Sequence, residues 1–332
     1  GAGAGACVAA RGRGSERGGG EGLRGARAAG VAEEVAARGA VAAGGRAHAR
    51  RLAARVGQEG VEGARGGGRA APGRMLTGRG RETLKGWIPE NADLKPVRVE
   101  SYGGFLFVNL DPDATPLVEL APKFVEDMYR CCPRLDEFVR VERYEVAVAA
   151  NWKTVIDNNH EGYHCAANHK SLMQMVDYDN KAHWSDDGIT FTHVVERKAP
   201  SNGAPPPPAE ETEQEALFGY IWPTLIPLWY PGPSSAVLFQ VIPTGPETTL
   251  ERWDFYSTHR QPSDWDRQFI DFIKNVLIVE DVGLCEQVQK GLHSRGYTQG
   301  RFVVDRGRPE FSEHHVHFYQ KLVLDALRAE DG

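Results

Sequence analysis

Three histidines and two acids fall within thirteen residues, 157–169, of the stretch Asn151-Trp-Lys-Thr-Val-Ile-Asp-Asn-Asn-His-Glu-Gly-Tyr-His-Cys-Ala-Ala-Asn-His169. Imidazoles and carboxylates gathered this densely are the usual donors of a metal site. The stretch supports two different sites. His160-Glu161-Gly162-Tyr163-His164 fits the His-Glu-x-x-His pattern, in which two histidines bind zinc and the glutamate is a general base for hydrolysis. His164 and His169, joined by a distant acid, fit a two-histidine, one-carboxylate set. That set occupies one face of Fe(II) and leaves the opposite positions open to O2 and substrate.

Helix geometry bears on both. His160 and His164 are four residues apart, so on a helix their rings lie roughly 40° apart and can share a metal. Against this, Gly162 would sit inside the helix at a cost of about 1 kcal/mol relative to Ala. Ala167 and Lys170 also stand where the extended zinc-protease pattern wants a glycine and a third histidine. Asp186, Asp187 and Glu196 are the remaining candidates for a third zinc ligand, and none lies in a helical motif that would present it. His164 and His169 are five apart, which leaves their rings roughly 140° apart on a straight helix. The iron site therefore requires the helix to break after His164, which Cys-Ala-Ala-Asn permits. Its third ligand is expected to be Asp281, whose helical neighbours Leu277, Ile278, Leu284, Cys285 and Val288 form an apolar stripe. A carboxylate aimed into a core is costly unless paired or metal-bound. Glu280 has the more mixed neighbours Gly283 and Gln287 and is the weaker candidate.

The elements that must position these residues follow from periodicity and turn signals. Leu94–Leu110 reads as two strands joined by a Tyr-Gly-Gly turn, Asp111–Pro116 as a loop and Val118–Cys131 as a helix ending before Pro133. Val139–Ala149 reads as a strand leading into the cluster. Asn151 is a helix cap, after which Trp152, Val155, Ile156, Asn159 and Tyr163 keep helical spacing. A loop-rich stretch then precedes a strand at Gly188–Arg197, and Ala199–Glu215 is a Pro- and Glu-rich surface loop. Ala216–Tyr230, Ala236–Pro243 and Thr248–Thr258 read as aromatic-rich antiparallel strands, followed by a long helix, Asp264–Leu292, and a closing one, Glu313–Arg328. Strands followed by a long helix imply an α+β domain with the helix laid across a curved sheet.

Composition divides the chain of 332 residues unevenly. Residues 1–75 hold 21 Gly, 21 Ala and 13 Arg, carry +7, and contain no Phe, Tyr, Trp or Ile; the remainder carries -13 and every aromatic. A segment so poor in large apolar side chains cannot offset its chain entropy, so disorder is expected there. A basic tail that touches nucleic acid is one reading. The other starts from the fact that Gly, Ala, Arg and Pro are the residues of GC-only codons. With Met75 the first methionine, we expect a fragment or a wrongly framed translation. Cys7, Cys131, Cys132, Cys165 and Cys285 show no disulfide spacing, which suits a reducing cytoplasm. The longest apolar run, near Leu217–Tyr230, is too short to span a membrane.

Several of these residues together resemble a known family. Asn151-Trp-Lys, Asp157-Asn158, Glu161-x-Tyr-His164-x4-His169 and Glu280-Asp-x-x-Leu-x-Glu-x-Val-Gln289-x-Gly-Leu292 resemble the catalytic domain of Rieske non-haem iron oxygenases. These are the large subunits of aromatic-ring-hydroxylating dioxygenases and of demethylating monooxygenases that act on betaine-like quaternary amines. The resemblance runs from about Leu94 to Leu327. It implies a helix-grip (START-like) fold, with a catalytic domain over 116–330 and a remnant of an all-β Rieske domain over 85–115. It implies Fe(II) at His164, His169 and Asp281. Glu161 would be the acid that links a ligand histidine to the [2Fe-2S] cluster of a neighbouring subunit, and Asn158 and Tyr163 would lie around the metal. It also implies electrons from NAD(P)H through a reductase or ferredoxin, a homotrimer or larger homo-oligomer, and an aromatic or quaternary-amine substrate to be hydroxylated or oxidatively dealkylated. An amine would favour cation–π contacts with Trp222, Trp229 or Tyr230.

One departure is plain. The family holds its cluster through Cys-x-His and Cys-x2-His pairs, and this chain has neither. The zinc hydrolase and a non-catalytic pocket for a hydrophobic ligand remain the alternatives.

Overall fold

The computed structural model of the chain describes residues 68–69, 98–102, 105–109, 111, 113–197, 215–231, 236–305 and 312–330. The Gly/Ala/Arg segment apart from Gly68–Arg69, the start of order near Leu84 and nearly all of the Pro-rich loop lie outside the described residues. The chain divides into two units, Ala2–Glu119 and Leu120–Gly332.

In the first unit three antiparallel strands, β1 (Gly68–Arg69), β2 (Arg98–Tyr102) and β3 (Phe105–Asn109), form a sheet in that order. Phe105 and Phe107 alternate into its buried side. Glu100, 7 % exposed, is the buried acid of this unit. It accepts from Arg98 Nε at 2.9 Å, Tyr102 Oη at 2.9 Å and the Leu117 backbone N–H at 2.8 Å, which satisfies both its oxygens.

The second unit is built on seven strands: β4 (Val139–Val148), β5 (Val176–Asp186), β6 (Thr190–Arg197), β7 (Glu215–Ile221), β8 (Leu225–Trp229), β9 (Ala236–Gly245) and β10 (Thr248–Ser257). They pair antiparallel throughout in the order β4-β10-β9-β8-β7-β6-β5. Register shifts at Phe255/Tyr256 and Thr248/Thr249 add local bends to the curled sheet. Alternation sorts the side chains between two faces. Phe191, Tyr220, Ile226, Leu228, Val237, Phe239, Val241, Trp253 and Phe255 enter the main core, together with Val155, Ile156, Phe269, Ile278, Cys285 and Tyr319 from helices. The opposite face carries a helix, α2 (Pro122–Cys131), which follows a single turn, α1 (Leu117–Leu120). There Trp229 Nε1 donates to the Met128 carbonyl at 3.3 Å, and Thr192 bonds Asp127.

Over the core face run α3 (Trp152–Asn159), the single turn α4 (Cys165–Asn168), α5 (Asp264–Phe272), α6 (Ile278–Leu292) and α7 (His314–Glu330). α5 starts at a capping box: Asp266 N–H donates to Ser263 Oγ at 3.1 Å, and Ser263 N–H to Asp266 Oδ2 at 2.7 Å. A π-helical turn, Ile273–Leu277, joins α5 to α6, so the expected long helix is continuous. An α+β fold with a helix across a curled antiparallel sheet is thus observed.

Three expectations need correction. The stretch expected to be loop-rich holds β5, an edge strand whose sequence, Val-Asp-Tyr-Asp-Asn-Lys-Ala-His-Trp-Ser-Asp, lacks the apolar alternation of a half-buried strand. Ala216–Tyr230 is a hairpin, because Trp222-Pro-Thr224 separates β7 from β8. On α6 the buried residue of the last turns is Gln289, while Val288 is 44 % exposed. The reason is polar: Gln289 Oε1 accepts the Asn151 N–H at 2.9 Å and ties α6 to the start of α3. Among the described residues no helix is long and apolar enough to cross a membrane, and the described cysteines are all unpaired.

Candidate metal centre

The centre is assembled by two breaks in the backbone. Asn151 caps α3 as expected, its Oδ1 accepting from the Lys153 N–H at 2.9 Å while its Nδ2 donates to the Pro246 carbonyl at 2.6 Å. α3 ends at Asn159, however, and Tyr163 falls outside it, 60 % exposed. The helix breaks before His164, at His160–Gly162, and not only after it. His164 becomes the N-cap of the single turn α4 and His169 its C-cap, so the two imidazoles flank one helical turn instead of facing 140° apart.

Their ring nitrogens meet Asp281 from α6. His164 Nε2 lies 3.1 Å from His169 Nε2. Asp281 Oδ1 lies 2.8 Å from His169 Nε2 and 3.4 Å from His164 Nε2. Adjacent donors around a metal with bonds of about 2.1 Å sit roughly 3 Å apart, so this triangle has the size of one face of a coordination sphere. The far nitrogens are also occupied. Glu161 Oε1 lies 2.6 Å from His164 Nδ1, and Glu161 Oε2 accepts the His164 backbone N–H at 3.0 Å. Glu280 Oε2 lies 2.7 Å from His169 Nδ1. A carboxylate at Nδ1 fixes the proton there, which turns each Nε2 into a lone-pair acceptor. Two imidazole lone pairs and a carboxylate then converge on one point, an arrangement that repels itself until a cation fills it.

The ionisation of these groups reflects the same crowding. Burial works against a charged His164, but its hydrogen bonds to Asp281, Cys165 and Glu161 push it up to about 12. Burial likewise opposes the charge on His169, and Asp281 and Glu280 outweigh it and raise the pKa. Burial would lift Asp281, yet the two histidines hold it well below the usual carboxylate range. Each acid–base pair stabilises the charge of its partner.

The remaining expected residues fall on both sides of the line. Asn158 joins the centre, its Nδ2 donating to Asp281 Oδ1 at 2.9 Å. Glu280 was expected to be a poor ligand; it stands behind His169, a role invisible in the helical stripe. Cys165, buried, has its Sγ 3.8 Å from His164 Nε2, and its donor atom lies within 4.8 Å of those of His164 and His169. His160 does not join. It is 3 % exposed, with ring centroids 4.4 Å from Tyr220, 4.6 Å from Phe191 and 5.2 Å from Tyr319, and burial drives its pKa well below normal. His160 and His164 thus share no metal, and the zinc pattern is a coincidence of sequence. Of the three aromatics named for a cation, Trp229 points to α2 on the opposite face of the sheet. Tyr230 is on the core side, packed at 5.3 Å from Phe269, and its hydroxyl is raised first by burial and then by the charges of Asp281 and Cys165.

Known proteins with this arrangement can now be compared. The family described as "Ring hydroxylating alpha subunit (catalytic domain)" matches residues 135–329. The carnitine monooxygenase oxygenase subunit of Acinetobacter baumannii is 31 % identical over 252 residues, covering 76 % of this chain and 67 % of that protein. The glycine betaine monooxygenase oxygenase subunit of Chromohalobacter salexigens is 26 % identical over 279 residues, covering 71 % of this chain and 61 % of its own. A crystal structure of a quaternary ammonium Rieske monooxygenase in complex with its substrate γ-butyrobetaine has a TM-score of 0.62 at 28 % identity, covering 76 % of this chain and 66 % of that one.

Proposed function

The chain belongs to the ring-hydroxylating alpha-subunit family, the oxygenase subunits of Rieske oxygenases, and from that membership we propose that it binds Fe(II) through His164, His169 and Asp281 to oxidise a quaternary amine. The observation that carries the iron assignment is the convergence of His164 Nε2, His169 Nε2 and Asp281 Oδ1, with both Nδ1 atoms held by acids. The relatives named for carnitine and glycine betaine support the substrate class. Iron held by two histidines and one carboxylate supplies O2 activation, which on a carbon beside an ammonium nitrogen leads to hydroxylation and oxidative dealkylation.

The chain's own residues have separable tasks. Glu161 and Glu280 fix the ring orientation of the two ligand histidines and raise their basicity. Asn158 steadies Asp281 through one N–H and leaves its other oxygen outside that bond. Tyr230 and Phe269 contribute to the apolar wall on the core side of the sheet. The chain offers no Cys-x-His and Cys-x2-His pairs, so its residues do not fit a [2Fe-2S] cluster. Electrons from NAD(P)H therefore enter from outside the chain, through a reductase and a cluster carried by another polypeptide. We assign residues 116–330 as the catalytic domain and 85–115 as the end of a preceding one.

The test is metal content after anaerobic loading with Fe(II). His169→Ala is expected to lose the iron and His160→Ala to keep it. Iron lost from the His160 variant and retained by the His169 variant would return the assignment to the His-Glu-x-x-His pair.

A further inference from the structure

Glu251 is a buried acid that the iron site does not use. It lies on β10, opposite Val146 of β4 and Val241 of β9, on the face that looks into the core. Two residues along the same face, Trp253 stacks on Phe239 with ring centroids 4.0 Å apart and 8° between the planes. Glu251 is only 2 % exposed. A carboxyl group in the middle of an apolar sheet face is costly unless something compensates its charge. The compensation present is a single indole N–H: Trp253 Nε1 donates to Glu251 Oε2 at 3.0 Å. Among the described residues no Lys, Arg or His pairs with it.

Its surroundings place it on the metal side of the core. Asp281 and Cys285 are one turn apart on α6, and Cys285 is 1 % exposed within the same core cluster as Trp253 and Phe239. The Cys285 thiol is raised first by burial and then by the charges of Asp281 and Glu251, so both acids are close enough to act on it. Burial pushes the Glu251 carboxyl up to about 8; the Trp253 hydrogen bond pulls it down, and the charge of Asp281 adds to the rise. Around Glu251 the titratable groups are thus Asp281 and Cys285 of α6, while its partners on β4 and β9 are valines.

We propose that Glu251, beside the Trp253–Phe239 stack, is the specificity-determining counter-charge for the trimethylammonium group of the substrate. The reading rests on the quaternary-amine assignment above. A trimethylammonium group has no N–H to donate, so it is recognised by charge and by aromatic faces. Its diffuse charge also sheds water more cheaply than a compact ammonium. An acid ringed by apolar groups and one indole offers that combination and little to a neutral ligand.

Binding must then move a proton. Near neutral pH the free protein holds Glu251 mostly protonated, and a bound cation requires the carboxylate. Binding releases up to one proton, and affinity rises with pH through about 8 and levels off above it.

Calorimetric titration of the full chain with γ-butyrobetaine, in buffers of differing ionisation enthalpy, reads both quantities. Wild type is expected to bind with proton release near pH 7. Glu251→Gln, which keeps the shape, is expected to bind at least tenfold more weakly and without proton release. A carbon isostere, with a tert-butyl group in place of the trimethylammonium, is expected to bind both proteins alike and weakly. Proton release absent from the wild type overturns the assignment of Glu251 whether or not the variant folds. Equal affinity of wild type and variant for γ-butyrobetaine overturns it too, and leaves the quaternary-amine reading standing. If wild type prefers the isostere, the substrate class fails as well, while iron content still reports on the metal site.

Discussion

At the scale of single residues, the centre is a matter of which atom of each side chain is used. His164 and His169 each turn Nε2 inward and give Nδ1 to an acid, Glu161 at 2.6 Å and Glu280 at 2.7 Å. The two acids are equivalent in geometry but not in legibility. Glu161 stands three residues before His164, and local spacing announces it. Glu280 acts across 111 residues on a nitrogen whose direction depends on how the α4 turn leaves the chain, so the helical stripe that exposes Asp281 says nothing of its neighbour. Removing an acid of this kind costs a metal site about 10–100-fold in affinity, because the histidine loses both its orientation and its basicity. Glu280→Ala should weaken Fe(II) or Co(II) binding by that factor in a competitive chelator titration, with the circular dichroism of the fold unchanged. Unchanged metal affinity would mean that His169 is held by packing alone. His160 shows the converse. Its spacing to His164 is a good metal pattern, yet α3 stops one residue earlier and the ring is buried among Tyr220, Phe191 and Tyr319.

At the scale of elements, what was readable depended on which forces set each one. The long helix, the capped start of α3, the strands β2–β4, β9 and β10 and the closing helix follow from apolar periodicity and caps, and they stand within a few residues of expectation. β5 was hidden because an edge strand is defined by its hydrogen-bonded neighbour, β6, and not by its own alternation. The β7–β8 hairpin was hidden by its continuous apolar run, which two buried strands and one long strand share. That hairpin depends on one close approach. A Cβ on Gly219 would meet Pro227 Cγ at 2.9 Å and the Pro227 carbonyl oxygen at 3.2 Å, and the ladder printed on either side of it, Phe218↔Leu228 and Ile221↔Leu225, leaves no slack. The obstacle is a proline ring and backbone, neither of which can rotate away. Gly219→Ala should therefore destabilise the second unit by about 1–3 kcal/mol, the usual cost of overpacking, seen as a lower urea midpoint with an unchanged slope. A midpoint equal to wild type would show that β7 and β8 can slide apart.

At the scale of the whole molecule, the chain supplies one half of a redox reaction. The second unit presents its metal donors from α3, α4 and α6 over one face of the sheet, and the Gln289 bond to Asn151 locks α6 to the start of α3 at the end nearest the centre. That half was legible in the sequence because metal donors and their neighbours are chemically conspicuous. The first 75 residues were legible only in a negative sense: composition shows what they lack, and among the absent features are the paired Cys and His ligands of an iron–sulfur cluster. The two halves make separable predictions about metal stoichiometry. Loaded anaerobically with iron and sulfide, the full chain should take up about one iron per chain at the two-histidine, one-carboxylate site and retain no acid-labile sulfide. A Rieske cluster would add two irons and two sulfides and a reduced-state electron paramagnetic resonance signal. If sulfide and that signal appear, Cys131, Cys132, Cys165 and Cys285, which are buried, must have rearranged to hold a cluster, and the division of labour drawn here fails. If they do not, substrate oxidation with NAD(P)H and a reductase should remain silent until a second, cluster-bearing polypeptide is added, because iron alone leaves the site without a source of electrons.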